Sequence, residues 1–345
     1  MTTPTANAKA LLPGVSRSFY LSIQLLPAPV REPVALAYLL ARATDTVADT
    51  PAGTIPQRLS LLERLGMRAQ GTSDAALVTD LADFAAHCTD PHEHALLKQI
   101  GPCLNALDHQ PAADQTAIRR VLAAITEGQR WDLAALDGPQ AGVQTEAELS
   151  RYTWLVAGCV GEFWTDVCEG HLRGWHRTEL SELRDGGAQY GMGLQRLNIL
   201  RDAGRDLRMG RCYWPAETLA PLGLDARRLC RAVAQQDMAT LERLQPLTGH
   251  WHDTIEAQLH HGLRYSLALR GWRLRLASAL PCLIGIHTLA LLRSTGVHAL
   301  VQHTKLPRAA LRRLLLGLLL GGVSDRALQR AWDSAVSTRS ARITP

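Results

Sequence analysis

Apolar residues recur at three- and four-residue spacing almost from one end of the chain to the other, the signature of amphipathic and buried helices. The pattern predicts helices over residues 16–26, 31–49, 56–71, 74–88, 91–107, 112–136, 146–168, 178–205, 226–244, 247–270, 274–294 and 307–318. Pro, Gly and Asp interrupt it at TPAGTIP (50–56), CTDPHEH (88–94), LDGPQAG (136–142) and GRCYWP (210–215). No stretch alternates with period two for long enough to compete as a strand. No unit repeats at solenoid spacing, and no linker is long or polar enough to divide the chain. The expectation is a single all-α domain over residues 1–345.

Composition agrees with that picture. Of the 345 residues 46% are hydrophobic and only 5% aromatic, and Leu, Ala and Arg, all good helix formers, abound. The formal net charge is +5. Acidic and basic residues are interspersed, and no Lys/Arg block reads as a nucleic-acid arm. Seven cysteines with no CxxC pair point to free buried thiols in a reducing compartment, ahead of disulfides or zinc. The N-terminus lacks a signal-peptide apolar core, so a cytoplasmic protein is expected. LASALPCLIGIHTLALL (276–292) and LLLGLLLGGV (314–323) fall short of the roughly 20 apolar residues of a spanning helix. Both read as core helices, with peripheral contact at the inner membrane face open to them.

Two stretches carry candidate chemistry. In the helix ending at DTVADT, Tyr38, Arg42, Asp45 and Asp49 fall on one stripe, with Leu36, Leu39, Leu40, Ala43 and Val47 on the other side. In YGMGLQRLNILRDAGRDLRMGRCYWP (190–215), Gln195, Asn198, Asp202 and Asp206 form a second polar stripe flanked by apolar residues. Surface ion pairs, Arg42 with Asp45 and Asp202 or Asp206 with Arg201, Arg205 or Arg208, account for both stripes in the simplest way. If the stripes are instead buried and face one another, four carboxylates repel unless cations intervene. An all-oxygen set suits Mg²⁺, which keeps room for substrate phosphate oxygens. The chain has no GxxxxGK[ST] loop. Arg17, Arg42, Arg201 and Arg211 lie near the two motifs as fixed phosphate donors.

The blocks SRSFYLSIQLLP (16–27), YLLARATDTVAD (38–49), YTWLVAGCVG (152–161), GLQRLNILRDAGRDLRMGRCYWP (193–215) and TKLPR (304–308) resemble the squalene/phytoene synthase family of head-to-head trans-isoprenyl diphosphate synthases. The likeness runs in order over about residues 14–310. It is most specific where Q-x-x-N-I-x-R-D-x-x-x-D is followed by G-R-x-Y. The resemblance implies an all-helical isoprenoid-synthase bundle around a central apolar cavity that takes two prenyl diphosphates with Mg²⁺. It implies Asp45, Asp49, Asp202 and Asp206 as metal ligands. Ser16, Arg17, Arg42, Gln195, Asn198, Arg201 and Arg211 would serve the diphosphates, and Tyr38, Tyr152 and Tyr213 would line the reaction site. Ser16 reads equally as a helix cap, and Tyr38 and Tyr152 as core aromatics.

The product is less legible. CYWP (212–215) resembles the ending of squalene synthases. Lys305 and Arg308 stand where those enzymes carry basic residues implicated in NADPH use. The expected reaction is two farnesyl diphosphates to squalene through presqualene diphosphate, by a monomer that releases its product toward lipid. The alternatives are phytoene or dehydrosqualene synthesis without NADPH, or a divergent paralogue. Gln129, Arg130, Trp131, Glu162 and Trp164 depart from the family pattern and bear on that last alternative. Thr44 and Thr46 flank Asp45, so there is no DDxxD of head-to-tail elongases and terpene cyclases. Acids at all four positions argue against a non-catalytic binding module.

Overall fold

The computed structural model describes residues 11–15, 19–51, 53–135, 142–302 and 304–337. Among these residues every regular element is a helix, apart from one isolated bridge between His176 and Leu269. The all-α expectation holds. The chain falls into two compact units, Met1–Ala134 with Glu162–Trp175, and Ala135–Gly161 with His176–Pro345.

The first unit contains helices Phe19–Leu25, Ala28–Asp49, Ile55–Ala69, Leu77–Ala85, Pro91–Lys98, Ile100–Asp108 and Ala112–Ala135, with the later turns of Cys159–His171. The helix Ala28–Asp49 buries Val30, Val34, Leu36, Leu39, Leu40, Ala43 and Val47, the face the apolar spacing predicts. Its end is fixed by two polar contacts. Arg58 Nη1 donates to the Ala48 carbonyl at 2.8 Å, and Thr50 Oγ1 donates to the Thr46 carbonyl at 2.7 Å. Thr54 and Gln57 then form a reciprocal capping box that starts Ile55–Ala69. The expected helix over 91–107 is two helices, parted at Gln99.

The second unit is built around the 29-residue helix Leu180–Arg208, which packs on Gln245–Ala268, Trp272–Thr295 and the stretch 154–161. That stretch begins with a π turn, Trp154–Gly158, between the α-helices Glu146–Thr153 and Cys159–His171, where the pattern predicts one continuous helix. Backbones touch here. A Cβ on Gly161 would lie 1.9 Å from the Gly187 carbonyl oxygen, and one on Gly191 would lie 2.2 Å from that of Ala157. Only glycine permits such an approach. The expected helix over 226–244 is also broken. Gln236 adopts a left-handed conformation at φ 55°. Asp237 then caps Met238–Glu242 by accepting from Thr240 N–H at 3.2 Å and Thr240 Oγ1 at 2.6 Å.

The stretch from Trp272 to Leu300 is long and apolar enough to cross a membrane, but 72% of its apolar window is buried within the protein. It is a core helix, as its sequence suggests. The second apolar run departs from expectation. In Arg308–Leu320, Leu314 and Leu318 are buried while Leu316, Leu319 and Leu320 are exposed, so 314–323 is only half a core element. A helix not expected from the sequence, Asp325–Val336, closes the described chain, capped by Ser324.

Candidate functional site

The two acid motifs lie in different units and are described separately. In the first, Tyr38, Arg42 and Asp45 are half-buried and Asp49 is exposed at the end of Ala28–Asp49. The Arg42–Asp45 ion pair expected of a surface stripe is present. Arg42 also holds Glu93, which lies within the break CTDPHEH and carries no periodic signal in the sequence. Glu93 lies in the first turn of Pro91–Lys98, where Asp90 caps by accepting from His92 N–H at 2.8 Å. Arg42 Nε is buried with no hydrogen-bond partner. Burial and then the charge of Asp49 push the Asp45 carboxyl above its usual range, and Arg42 only partly opposes them. The Tyr38 hydroxyl donates to the carbonyl of Val15 at 3.0 Å. Ser16 and Arg17 lie outside the described residues.

In the second motif the i, i+4 spacing places Asp202 and Asp206 on one side of Leu180–Arg208. Arg201 forms a two-pronged pair with Asp202, at 3.0 Å and 2.7 Å, and Arg205 approaches Asp206 at 3.5 Å. The side chain of Asp206 is only 11% exposed. Burial raises its carboxyl above the usual range. Arg205 works against this shift and the charge of Asp202 adds to it. Gln195 and Asn198 are half-buried on the same helix. The backbone N–H of Arg211 donates to the Asp206 carbonyl at 2.8 Å, which sets where the chain leaves the helix toward Tyr213. The rings of Tyr152 and Tyr213, expected as separate lining residues, are both buried and stack at 5.6 Å and 19°.

Arg196 braces this part of the unit. It is buried within Leu180–Arg208 and donates to Glu146 at 2.5 Å and to Ser150 Oγ at 2.9 Å. Its guanidinium lies 5.9 Å from the Trp251 ring. Glu146 and Ser150 belong to the helix that carries Tyr152. The only advance signal was a charged residue on the apolar side of the helix. Lys305 is exposed, and so is Arg308 at the first turn of Arg308–Leu320. Of the departures, Gln129 is buried with its Oε1 unpartnered, Arg130 is exposed, and Trp131, Glu162 and Trp164 are half-buried.

Asp206, with a side chain 11% exposed, is held above its ordinary range chiefly by burial, and Asp45, half-buried at 37%, by partial burial and the charge of Asp49; each has a second acid one turn away. This donor set is all oxygen and fits a hard divalent cation. No group of three or more His, Cys, Asp or Glu among the described residues is arranged to hold a metal. Each pair by itself offers two carboxylates, the number a Mg²⁺ ion commonly takes from protein.

The model of the squalene/phytoene synthase family matches residues 12–314. The chain belongs to the squalene/phytoene synthase family. Among its curated relatives, a bifunctional lycopene cyclase/phytoene synthase of Phaeosphaeria nodorum is 30% identical over 61% of this chain and 34% of its own length. A phytoene synthase of Arthrospira platensis is 29% identical over 67% of each chain. A squalene synthase of Candida albicans is 28% identical over 60% of this chain and 44% of its own. The match thus spans about a third to two thirds of these relatives. Solved structures share the fold of this squalene/phytoene synthase family member. A complex of TcSQS with a ligand superposes with a TM-score of 0.76 at 22% identity, covering 99% of this chain and 93% of that one. A ligand complex of a dehydrosqualene synthase gives 0.60 at 19%, covering 98% and 97%.

Proposed function

We propose that this protein joins two prenyl diphosphates head to head in a Mg²⁺-dependent reaction, with two farnesyl diphosphates giving squalene through presqualene diphosphate. One observation carries the reading: each unit holds an i, i+4 acid pair on one helix with an arginine already bound to one of its carboxylates, Arg42 on Asp45 and Arg201 on Asp202. Asp45 and Asp49, and Asp202 and Asp206, would hold the ions, with Gln195 and Asn198 beside the second pair. When bound, Mg²⁺ neutralises the departing diphosphate so that the allylic C–O bond can ionise.

The chain's own residues would do the rest. Arg42, Arg201 and Arg211, with Ser16 and Arg17, donate to diphosphate oxygens. Arg42 and Arg201 would exchange carboxylate partners for phosphate when substrate arrives. The allylic carbon loses diphosphate and accepts the π electrons of the second chain's double bond. A proton leaves as the cyclopropane closes. A second loss of diphosphate and rearrangement then join C1 to C1. Apolar side chains must exclude water throughout, since water would quench the cation. The stacked faces of Tyr152 and Tyr213 supply electron-rich surface to a cation in reach, and Tyr38 orders the backbone before Ser16. Squalene additionally needs a hydride, for which NADPH at Lys305 and Arg308 is the proposed donor.

The relatives include a bifunctional lycopene cyclase/phytoene synthase and a phytoene synthase, which favours a second reading in which two geranylgeranyl diphosphates give phytoene without NADPH. Purified protein incubated with farnesyl or geranylgeranyl diphosphate, Mg²⁺, and with or without NADPH separates the two. Squalene formed only with NADPH supports the first reading. Phytoene from geranylgeranyl diphosphate alone replaces it with the second. No coupled hydrocarbon from either substrate overturns both.

A further inference from the structure

Of the seven large hydrophobic residues exposed on the described chain, four lie in two neighbouring stretches of the second unit. Leu316, Leu319 and Leu320 are 58%, 61% and 88% exposed, and Trp272 is 56% exposed. The leucines end the helix Arg308–Leu320, just before the turn Gly321–Gly322 that leads into Asp325–Val336. Asp325, five residues past Leu320, is held by Arg275 and, at 3.3 Å, by Arg177. Arg275 stands one turn after Trp272 on the helix Trp272–Thr295. The Asp325–Arg275 pair thus ties the helix that follows the leucine turn to the first turns of the helix that begins at Trp272.

The exposed side of Arg308–Leu320 is divided along its length. Its first half presents Arg308, Arg312 and Arg313, and its second half presents the leucines. From residue 305 to 337 there are six basic residues against two acidic ones. Arg326 and Arg330 are exposed beyond the turn, and Arg270 and Arg273 flank Trp272. Exposed leucines at a helix end, an exposed tryptophan on a helix tied to the next one, and arginines along the same elements match the order of an anionic bilayer surface, acyl chains below and phosphates above. The spacing fits. At about 1.5 Å per residue the seven-residue step from Arg312 to Leu319 spans about 10 Å. Interfacial helices bury their apolar side by roughly 5–10 Å.

We infer that the turn after Leu320, with Trp272, is a docking surface for anionic lipid bilayers: the leucines enter the acyl boundary and Arg312, Arg313 and Arg326 meet the lipid phosphates. This does not rest on the reaction proposed above. Its consequence for that reaction would be to hold the protein where an apolar product can partition.

The test is flotation of the full-length protein with vesicles of phosphatidylcholine alone and of phosphatidylcholine mixed with phosphatidylglycerol. Binding should require the anionic lipid and weaken with salt. The variant L316S/L319S/L320S should lose roughly tenfold or more in partitioning. R312E/R313E should lose more than tenfold at low salt, at roughly fivefold per charge removed and further for each sign reversed. Both variants should keep the wild-type unfolding midpoint and soluble-substrate turnover, since none of these residues is placed in the catalytic machinery. Equal vesicle binding by the leucine variant overturns the inference. So does a wild-type protein that ignores vesicles but elutes as a dimer dissociated by L316S/L319S/L320S, which would assign the surface to a second copy.

Discussion

The pairing of Arg196 with Glu146 predicts an asymmetry that simple contact counting would miss. The Arg196 side chain is 5% exposed, whereas that of Glu146 is 41% exposed. Neutralising Glu146 strands a guanidinium among Trp251 and its neighbours with one remaining side-chain partner, Ser150. Neutralising Arg196 leaves a carboxylate already at the water boundary, free to hydrate. Breaking a buried pair from the side that leaves the buried charge costs about 3–5 kcal/mol at the limit. An exposed pair is worth only about 0–1 kcal/mol. A pair with one foot in each regime places E146Q at about 2–3 kcal/mol, because glutamine still accepts a hydrogen bond. R196M, which retains much of the packing, is placed at about 1–2 kcal/mol, including the lost ring contact. Urea unfolding followed by circular dichroism measures both. The double variant E146Q/R196M should match R196M alone, since the stranded charge is gone. Because Glu146 and Tyr152 share one helix, E146Q should also lower turnover more than R196M does. A milder effect of E146Q than of R196M, on stability, would refute the reasoning.

Three further outcomes are expected. D45N and D206N should each lower turnover by about a hundredfold or more. D206N should at the same time unfold at higher urea without Mg²⁺, because it removes a charge that burial disfavours, and a binding scaffold would show no such split. His252 is buried and its imidazole is lowered from 6.5 to about 4, chiefly by burial and then by Arg293, with Asp253 opposing. Between those pH values the unfolded chain takes up a proton that the folded chain refuses. Stability therefore falls as pH falls through that window, by up to about 3 kcal/mol, and H252Q should flatten that part of a stability–pH curve. Burial raises the thiols of Cys168 and Cys282 well above the usual value. In a thiol-reagent titration they should react only on unfolding, after the half-buried Cys88 and Cys230.

Much of the helical framework could be read from spacing because burial enforces period 3.6 wherever a helix packs on a core. The helix Ala28–Asp49 shows this directly: Leu36, Leu39, Leu40, Ala43 and Val47 are buried, while Tyr38, Arg42 and Asp45 of the polar stripe are half-buried and Asp49 is exposed. Breaks set by local polar competition were harder to see. Asp237 outcompetes helix continuation at 236 through two contacts to Thr240, and nothing in the apolar pattern marks that site. The helix Asp325–Val336 had a visible cap in Ser324 but too few apolar positions to stand out. The acid pairs were legible because carboxylates at i, i+4 within an apolar helix are rare. Glu93 and Arg196 were not, because their partners lie 51 and 50 residues away in the chain. Ion pairs on the acid stripes were read as the rival to metal binding, yet they coexist with raised carboxyls at Asp45 and Asp206.

The contact at Gly161 and Gly191 limits how the second unit can move. Where one carbonyl fits into the gap left by a missing side chain, sliding either segment by a single residue would drive a side chain into backbone. The strip that bears Tyr152 and the strip that bears Asp202 therefore work like two halves of a dovetail joint. Whatever loosening this unit undergoes must come from side-chain rotation or from parts of the chain outside that joint.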